Sequence, residues 1–79
     1  MTANDLLTLQ SSIDVAVKIN CTDGEVILAK IDSVDLEVRE VVYEMLSTTD
    51  ESKYEKFDRQ PAYLIHFDEI ASVEPMLAK

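Results

Sequence analysis

The first eleven residues carry the hydrophobic pattern of a short amphipathic helix. Thr2 and Asp5 have the spacing of a capping box, in which Asp stands in place of the more usual Glu or Gln. Leucines at positions 6, 7 and 9 supply an apolar stripe behind this cap. The pattern predicts a helix over about residues 3–11, and a helix this short is stable only when it packs on another element.

Hydrophobic residues recur at every second position between residues 13 and 21, which is the period of a β-strand. Asp23 and Gly24 then form a strong hairpin signal, because both residues tolerate the positive φ angles of a tight turn. The return strand, at about residues 25–35, is apolar on both faces where it starts, which suits a strand that curls into a barrel. The small Ala29 leaves room for such a bend.

The segment that follows fits two structures on its pattern alone. Val38, Val41, Val42 and Met45 lie at helical spacing, whereas the β-branched and aromatic residues of this segment favour a strand. Local reasoning leaves the helix and the strand about equally supported for residues 36–46.

The remainder of the chain predicts one loop and two short strands. Residues 47–61 are polar and end in a proline, so they are predicted to form a variable loop. Residues 62–67 and 70–74 are predicted strands, separated by Asp68 and Glu69. No second helix is predicted to cover a sheet face, so the sheet must close on itself or pair with a neighbour.

The length of the chain, 79 residues, is that of a single small domain spanning residues 1–79. Such a chain buries only roughly 60% of its unfolded surface, so its own core gives marginal stability. Cys21 is the only cysteine, which rules out an internal disulfide and fits a reducing, cytoplasmic environment. Oligomerisation is then the expected additional source of stability.

Charge and motifs narrow the possible functions. The net charge of −9 repels phosphate backbones, so a nucleic-acid site has to be local or has to bind bases. The N-terminus lacks the pattern of a signal peptide and no apolar run is long enough to span a bilayer, so no membrane partner is expected. Without a phosphate-binding loop, an activated nucleophile or a metal-ligand spacing, we expect neither an enzyme nor a cofactor nor a metal site.

The order of these elements and two sequence motifs resemble the Sm/LSm superfamily, which includes the Hfq-related proteins. In the segment VKINCTDGEVILAKIDSVDLEVR, Asp23-Gly24 lies at the motif turn, Ala29 replaces a later glycine and Asp35 stands at the box aspartate. The segment IHFDEI, residues 65–70, can be aligned with the second motif of the family. The resemblance covers about residues 3–75 and is closest to the divergent Sm-like proteins that phages carry.

The resemblance implies a mainly β fold, in which a short N-terminal helix precedes a five-stranded, strongly bent antiparallel barrel of the SH3-like kind. For residues 36–46, where the pattern fits a helix and a strand equally well, the resemblance implies a strand. Sm-like subunits assemble by strand addition, so the resemblance implies a homo-oligomeric ring of about five to eight subunits. Ile70 and Val73 are then expected at the interface between subunits.

The resemblance further implies a pore-side site for single-stranded RNA. The positions at which the family binds RNA bases hold Glu37, Arg39 and His66, together with the box residue Asp35. His66 can stack on a base and Arg39 can contact a phosphate or a base edge, whereas Glu37 opposes both. The alternatives for His66 are a hydrogen bond to a neighbouring group such as Asp68, or a metal site formed with Asp68 or Glu69 only when several subunits converge.

The polar loop is a second candidate for RNA contacts, because its segment KYEKFDR interleaves basic and aromatic side chains: Lys53, Tyr54, Lys56, Phe57 and Arg59. Its acidic residues cancel most of that charge, so a solvated loop is the plainer interpretation. Two functions stay open. One is an RNA-associated ring, and the other is an acidic ring scaffold that recruits a basic protein without binding RNA.

Overall fold

A helix and a five-stranded sheet make up the part of the chain that the computed structural model describes, residues 1–53 and 62–76. In chain order the elements are α1 (Ala3–Gln10), β1 (Ala16–Cys21), β2 (Val26–Asp35), β3 (Glu40–Thr48), a 3₁₀ turn (Glu51–Lys53), β4 (Tyr63–His66), a second 3₁₀ turn (Phe67–Glu69) and β5 (Ile70–Pro75). All the strands pair antiparallel in the order β4-β3-β2-β1-β5. The predicted fold class, a short helix followed by five antiparallel strands in a bent sheet, is confirmed.

The strands enclose one apolar core. Along β1 and the first part of β2 every second side chain is buried, because alternate residues of a strand point to opposite faces of the sheet. Helix α1 adds Leu9, which is fully buried. The core consists of Leu9, Val17, Ile19, Cys21, Ile27, Ala29, Ile31, Val41, Tyr43, Ile65, Phe67, Ile70 and Val73. In the described part of the chain, no helix is both long and apolar enough to cross a membrane.

The bend of β2 coincides with two irregularities in its pairing with β3. The register shifts between Leu28 and Ala29 and again between Ile31 and Ser33. Such bulges bend a strand and increase its twist. Ala29, the small residue expected at a bend, is fully buried beside the first shift.

The first strand begins later than the pattern predicted, at Ala16 instead of residue 13. Asp14 has a φ of 65°, a left-handed conformation that interrupts an extended strand. Ile13 makes only an isolated parallel bridge to Ile31, and the side chains of Ile13 and Val15 are largely exposed. The alternating pattern therefore extended the predicted strand too far towards the N-terminus.

The third strand, β3, also begins later than the predicted residues 36–46. Residues 36–39 form a turn, because Asp35 Oδ1 accepts hydrogen bonds from the amides of Glu37 (2.9 Å) and Val38 (3.2 Å). Arg39, with a φ of 60°, ends this turn in the left-handed conformation. The expectation of a strand was wrong for residues 36–39, and β3 instead takes the first two residues of the predicted loop.

A buried carboxylate fastens α1 to the edge strand β5. The Thr2 side chain accepts a hydrogen bond from the Asp5 amide (3.2 Å), and Asp5 Oδ2 accepts from the Thr2 amide (2.7 Å) and hydroxyl (2.9 Å). The other carboxylate oxygen, Oδ1, accepts a hydrogen bond from the Val73 amide at 3.0 Å. Because Asp5 is only 8% exposed, this contact between the two ends of the chain is shielded from water.

The environment of Asp5 has opposing effects on its ionisation. Burial of the carboxyl tends to raise its pKa. Hydrogen bonds from the Thr2 and Val73 amides and the Thr2 hydroxyl, together with the N-terminal ammonium, lower it and outweigh burial. The pKa of Asp5 is therefore lowered from its ordinary value of 3.8. A carboxyl whose pKa is lower in the folded state than in the unfolded state stabilises the fold at pH values above its unfolded-state pKa. This contribution is lost as the pH falls through the folded-state pKa.

We expect the Asp5→Ala substitution to lower the free energy of unfolding at pH 7 by about 1–3 kcal/mol, because it leaves the buried Val73 amide without an acceptor and removes half of the capping box. Urea denaturation measures this difference. Asp32→Ala, which removes an exposed carboxylate of β2, is the matched control and should change stability by less than about 0.5 kcal/mol. The difference between wild type and Asp5→Ala should shrink as the pH is lowered from 7 towards 2. A difference that stays constant over this range would contradict the assigned role.

Candidate functional site

Arg39 and His66, two of the predicted RNA-site residues, lie next to each other at neighbouring strand ends. His66 is the register partner of Glu40, at the start of β3. Beyond this pair, the Phe67 amide donates a hydrogen bond to the Arg39 carbonyl at 2.9 Å. This bond holds the turn that precedes β3 against the 3₁₀ turn that follows β4. The structure thus brings together the two segments that carry the recognised motifs.

Asp68 lies between Arg39 and His66 and interacts with both. The Arg39 Nη2 atom is 3.5 Å from Asp68 Oδ1, and His66 Nδ1 is 3.5 Å from Asp68 Oδ2. The Asp68 amide also donates a hydrogen bond to His66 Nδ1 at 3.1 Å. The alternative that the sequence offered for His66, a hydrogen bond to Asp68, is present in the structure.

The hydrogen bond to Nδ1 determines what His66 can offer a ligand. When Nδ1 of a neutral imidazole accepts a hydrogen bond, the ring proton is on Nε2, which is then a donor. The Arg39 side chain is 60% exposed and that of Asp68 is 73% exposed, so their ion pair is weak. The guanidinium therefore keeps donors for a ligand, next to an exposed carboxylate that repels anions.

The other two predicted residues, Asp35 and Glu37, have different roles in the turn. Asp35 acts through the backbone, since its Oδ1 binds the amides that shape residues 36–39. Glu37 is exposed, and its carboxylate has no hydrogen bond or ion pair with the described residues. The same turn exposes Leu36 and Val38, each to 54%, which gives the site an apolar surface beside its charged groups.

The two residues predicted at the subunit interface have buried side chains. Ile70 is 1% exposed and Val73 is 6% exposed, and both belong to the core of the subunit. Their side chains are therefore not a surface for a neighbouring subunit, because a core side chain cannot also face a partner. An Asp at either position would test folding and not assembly. What β5 can offer a neighbour is its backbone edge.

The predicted loop contacts are not part of the described structure. Lys53 ends the first 3₁₀ turn, but its side chain and residues 54–61 are not among the parts of the chain that the structure describes. The contacts assigned to Tyr54, Lys56, Phe57 and Arg59 stay predictions.

Sequence reasoning missed a group of ligand-type side chains around the turn between β1 and β2. One ligand atom from each of Cys21, Asp23 and Glu25 lies within 4.8 Å of the others. These residues line a cleft of about 290 Å³ that also borders β4. Glu25 is 5% exposed and accepts a hydrogen bond from the Thr48 hydroxyl, which gives it a structural role. The spacing C-x-D-G-E across a tight turn was the available signal, since such a turn brings alternate residues together.

Comparison with known proteins supports the fold. No protein-family profile and no curated protein matches the chain. Among solved structures, the chain is similar to the SmAP (LSm) protein from Methanococcus vannielii, with a TM-score of 0.65 and 20% sequence identity. The similarity covers 92% of this chain and 96% of that protein. The chain has the Sm-like fold that its motifs indicated, and the resemblance to phage proteins stays a prediction.

The contribution of the Asp35 hydrogen bonds to the turn before β3 can be tested by substitution. Replacing Asp35 with Ala removes the acceptor for two amides and should lower the free energy of unfolding by about 1 kcal/mol. Glu37→Ala, which removes an exposed carboxylate from the same turn, should leave stability within about 0.5 kcal/mol of wild type. Denaturant titration of both variants checks this. Equal stabilities for the two variants would show that the Asp35 hydrogen bonds do not hold the turn.

Proposed function

We propose that this protein forms a closed homo-oligomeric ring and binds single-stranded RNA through Arg39 and His66 of each subunit. The observation that supports the RNA site most directly is the backbone bond between Phe67 and Arg39, which sets an exposed guanidinium beside an imidazole. In a ring, each subunit repeats this pair at the same radius. Several weak contacts to one RNA strand then combine into a stronger overall interaction.

The sheet order supports the proposed ring. Within the described residues, β4 and β5 each pair with only one strand and leave one edge open. Open edges pair readily with another chain. Because the two edges belong to different strands, pairing β4 of one subunit with β5 of the next is a head-to-tail contact, and such a contact gives a ring when the rotation between neighbouring subunits closes. Such pairing also covers Leu64 of β4, which is 62% exposed in the isolated chain.

The charge of the chain shapes the kind of RNA binding that we propose. Phosphate contacts require an excess of basic groups, whereas this chain carries a net charge of −9 and Arg39 already faces Asp68. The proposed contacts are therefore to bases: stacking on His66 and hydrogen bonds from Arg39. Leu36 and Val38 provide apolar surface for the base faces.

The second candidate function is an acidic ring scaffold that binds a basic protein and no RNA. The ion pair between Arg39 and Asp68 favours it, because it reduces the positive charge at the only predicted RNA site within the described residues. Binding of a partner, and not catalysis, is proposed in either case. We place the ring in the cytoplasm, since the buried thiol of Cys21 needs no oxidising compartment.

The ring is tested by the mass of the protein in solution. Light scattering at micromolar concentration should give about five to eight times the 8.9 kDa of one chain, with one narrow size distribution, because a head-to-tail contact that closes sets a single subunit number. A monomer at this concentration would contradict the proposal.

RNA binding is tested by fluorescence anisotropy with oligo-U, oligo-A and mixed single strands at several salt concentrations. Arg39→Ala and His66→Ala should each weaken binding about tenfold, or about 1.4 kcal/mol, with a shallow dependence on salt. Lys18→Ala is the matched control for Arg39→Ala, because the half-exposed Lys18 side chain is likewise paired with an acid, Glu74, but lies on β1.

Equal losses for Arg39→Ala and Lys18→Ala would indicate an effect of overall charge and would contradict a local site. If no RNA binds to the wild-type protein, the scaffold function is the better account. A basic peptide that binds under the same conditions would then support it.

A further inference from the structure

We infer that Asp68 gives the candidate site a preference for guanine, because its carboxylate can accept hydrogen bonds from both the N1–H and the 2-amino group of that base. This inference rests on the proposed RNA binding and names the base that the site selects. It follows from the exposure of the carboxylate, from the two side chains beside it and from the order of donors and acceptors on each RNA base.

The Asp68 carboxylate keeps acceptor capacity for a ligand. Its side chain is largely exposed, and an ionised carboxylate has about four lone-pair directions on its two oxygens. Arg39 Nη2 approaches only Oδ1. His66 Nδ1 lies 3.5 Å from Oδ2, but in the neutral ring this nitrogen accepts a hydrogen bond from the Asp68 amide and so offers no hydrogen to Oδ2. Both oxygens can therefore accept hydrogen bonds from a ligand on their exposed side.

The two neighbours of the carboxylate place a donor on one side of it. The Arg39 guanidinium lies at Oδ1, whereas the His66 ring lies at Oδ2. A guanidinium has five N–H donors, so its contact with Oδ1 leaves others for a ligand. The ligand that fits this arrangement donates two hydrogen bonds to the carboxylate and, next to them, accepts one from Arg39.

Among the four RNA bases, guanine carries this pattern on its Watson–Crick edge, which single-stranded RNA leaves open to a protein. The O6 acceptor, the N1–H donor and the 2-amino donor follow one another along that edge. Adenine and cytosine have an amino group next to a ring nitrogen that accepts, and uracil has a single N–H between two carbonyl oxygens. With any of these three bases, the second oxygen of Asp68 meets another acceptor, and two acceptors repel each other.

An exposed carboxylate in an RNA site lowers affinity for every strand, because it repels phosphates. It raises selectivity, because a base with the wrong pattern places an acceptor against a carboxylate oxygen, and specificity depends on such repulsive contacts as well as on attractive ones. The apolar side chains of Leu36 and Val38 contribute to affinity without distinguishing the bases, since every base has an apolar face. Asp68 is therefore the residue of this site that selects the base.

The test compares oligo-U strands that differ in one central base: guanine, adenine or inosine. A single guanine avoids the structures that guanine-rich RNA forms by itself, and inosine keeps O6 and N1–H but lacks the 2-amino group. Fluorescence anisotropy should show that the wild-type protein binds the guanine strand about tenfold more tightly than the adenine strand, with the inosine strand between them. This comparison uses the wild-type protein and does not depend on the folding of a variant.

Asp68→Asn assigns the preference to the carboxylate. The amide of Asn pairs an acceptor with a donor, which fits the edge of adenine better than that of guanine, so the guanine-to-adenine affinity ratio should fall from about ten to about one or less. Removing a negative charge raises the affinity for every strand, so the ratio is the quantity to compare. Glu37→Gln is the matched control, because it removes an exposed carboxylate from the same site, and it should keep the wild-type ratio.

The outcomes separate this inference from the proposed function. Equal affinities of the wild-type protein for the three strands, with binding that still requires Arg39 and His66, would overturn the inference and leave RNA binding in place. A guanine preference that survives Asp68→Asn, or one that Glu37→Gln abolishes equally, would overturn the role of Asp68. A wild-type protein that binds none of the strands would overturn both the inference and the proposed RNA binding.

Discussion

The structure depends on the bending of β2. This ten-residue strand pairs with β1 and with β3, and its bulges turn the sheet so that one face encloses the core. Among the described elements only α1 packs on the sheet, so a flat sheet would leave much of its apolar face in water. Bending lets residues from every strand reach the same interior. The two strands at the ends of the sheet order, β4 and β5, are then the places where the chain has backbone groups left for other molecules.

Acidic side chains accept hydrogen bonds from backbone amides at several of the points where a helix or strand begins or ends. Asp5 binds the amides of Thr2 and Val73, Asp35 binds two amides of the turn before β3, and Glu69 binds the amide of His66. A carboxylate is a strong acceptor for such amides. Part of the acidic excess of this chain thus has a structural use. The net charge is therefore a poor guide to function, because several of the carboxylates form hydrogen bonds that stabilise the fold.

In the candidate site, too, an acidic side chain contacts the groups around it. Asp68 contacts both Arg39 and His66, so the one carboxylate that lies between these side chains also offsets the positive charge of Arg39. Such a site discriminates against ligands that depend on phosphate attraction. It favours ligands that accept hydrogen bonds and pack on the exposed apolar residues of the turn. The balance between these properties distinguishes the two functions that we propose, base binding and recruitment of a basic protein.

Local signals in the sequence were sufficient for the type of most elements. The capping box of Thr2 and Asp5, the turn at Asp23-Gly24 and the alternation in β1 and β2 depend on neighbouring residues, which is why they could be read directly. The motif resemblance was needed to assign β3, because its valines satisfy the spacing of a helix and the propensity of a strand. It also named Arg39 and His66 as a pair.

Only the tertiary structure decided which groups meet across the chain and which face the core. The contact between Asp5 and the Val73 amide joins the two ends of the sequence, and no local pattern reports it. Ile70 and Val73 looked like interface residues, yet the bend of the sheet turns their side chains inward. The turn at residues 36–39 formed because the Asp35 carboxylate competes with strand pairing for the same amides. Sequence periodicity describes what one segment prefers, whereas these outcomes depend on backbone groups that segments distant in the chain satisfy for one another.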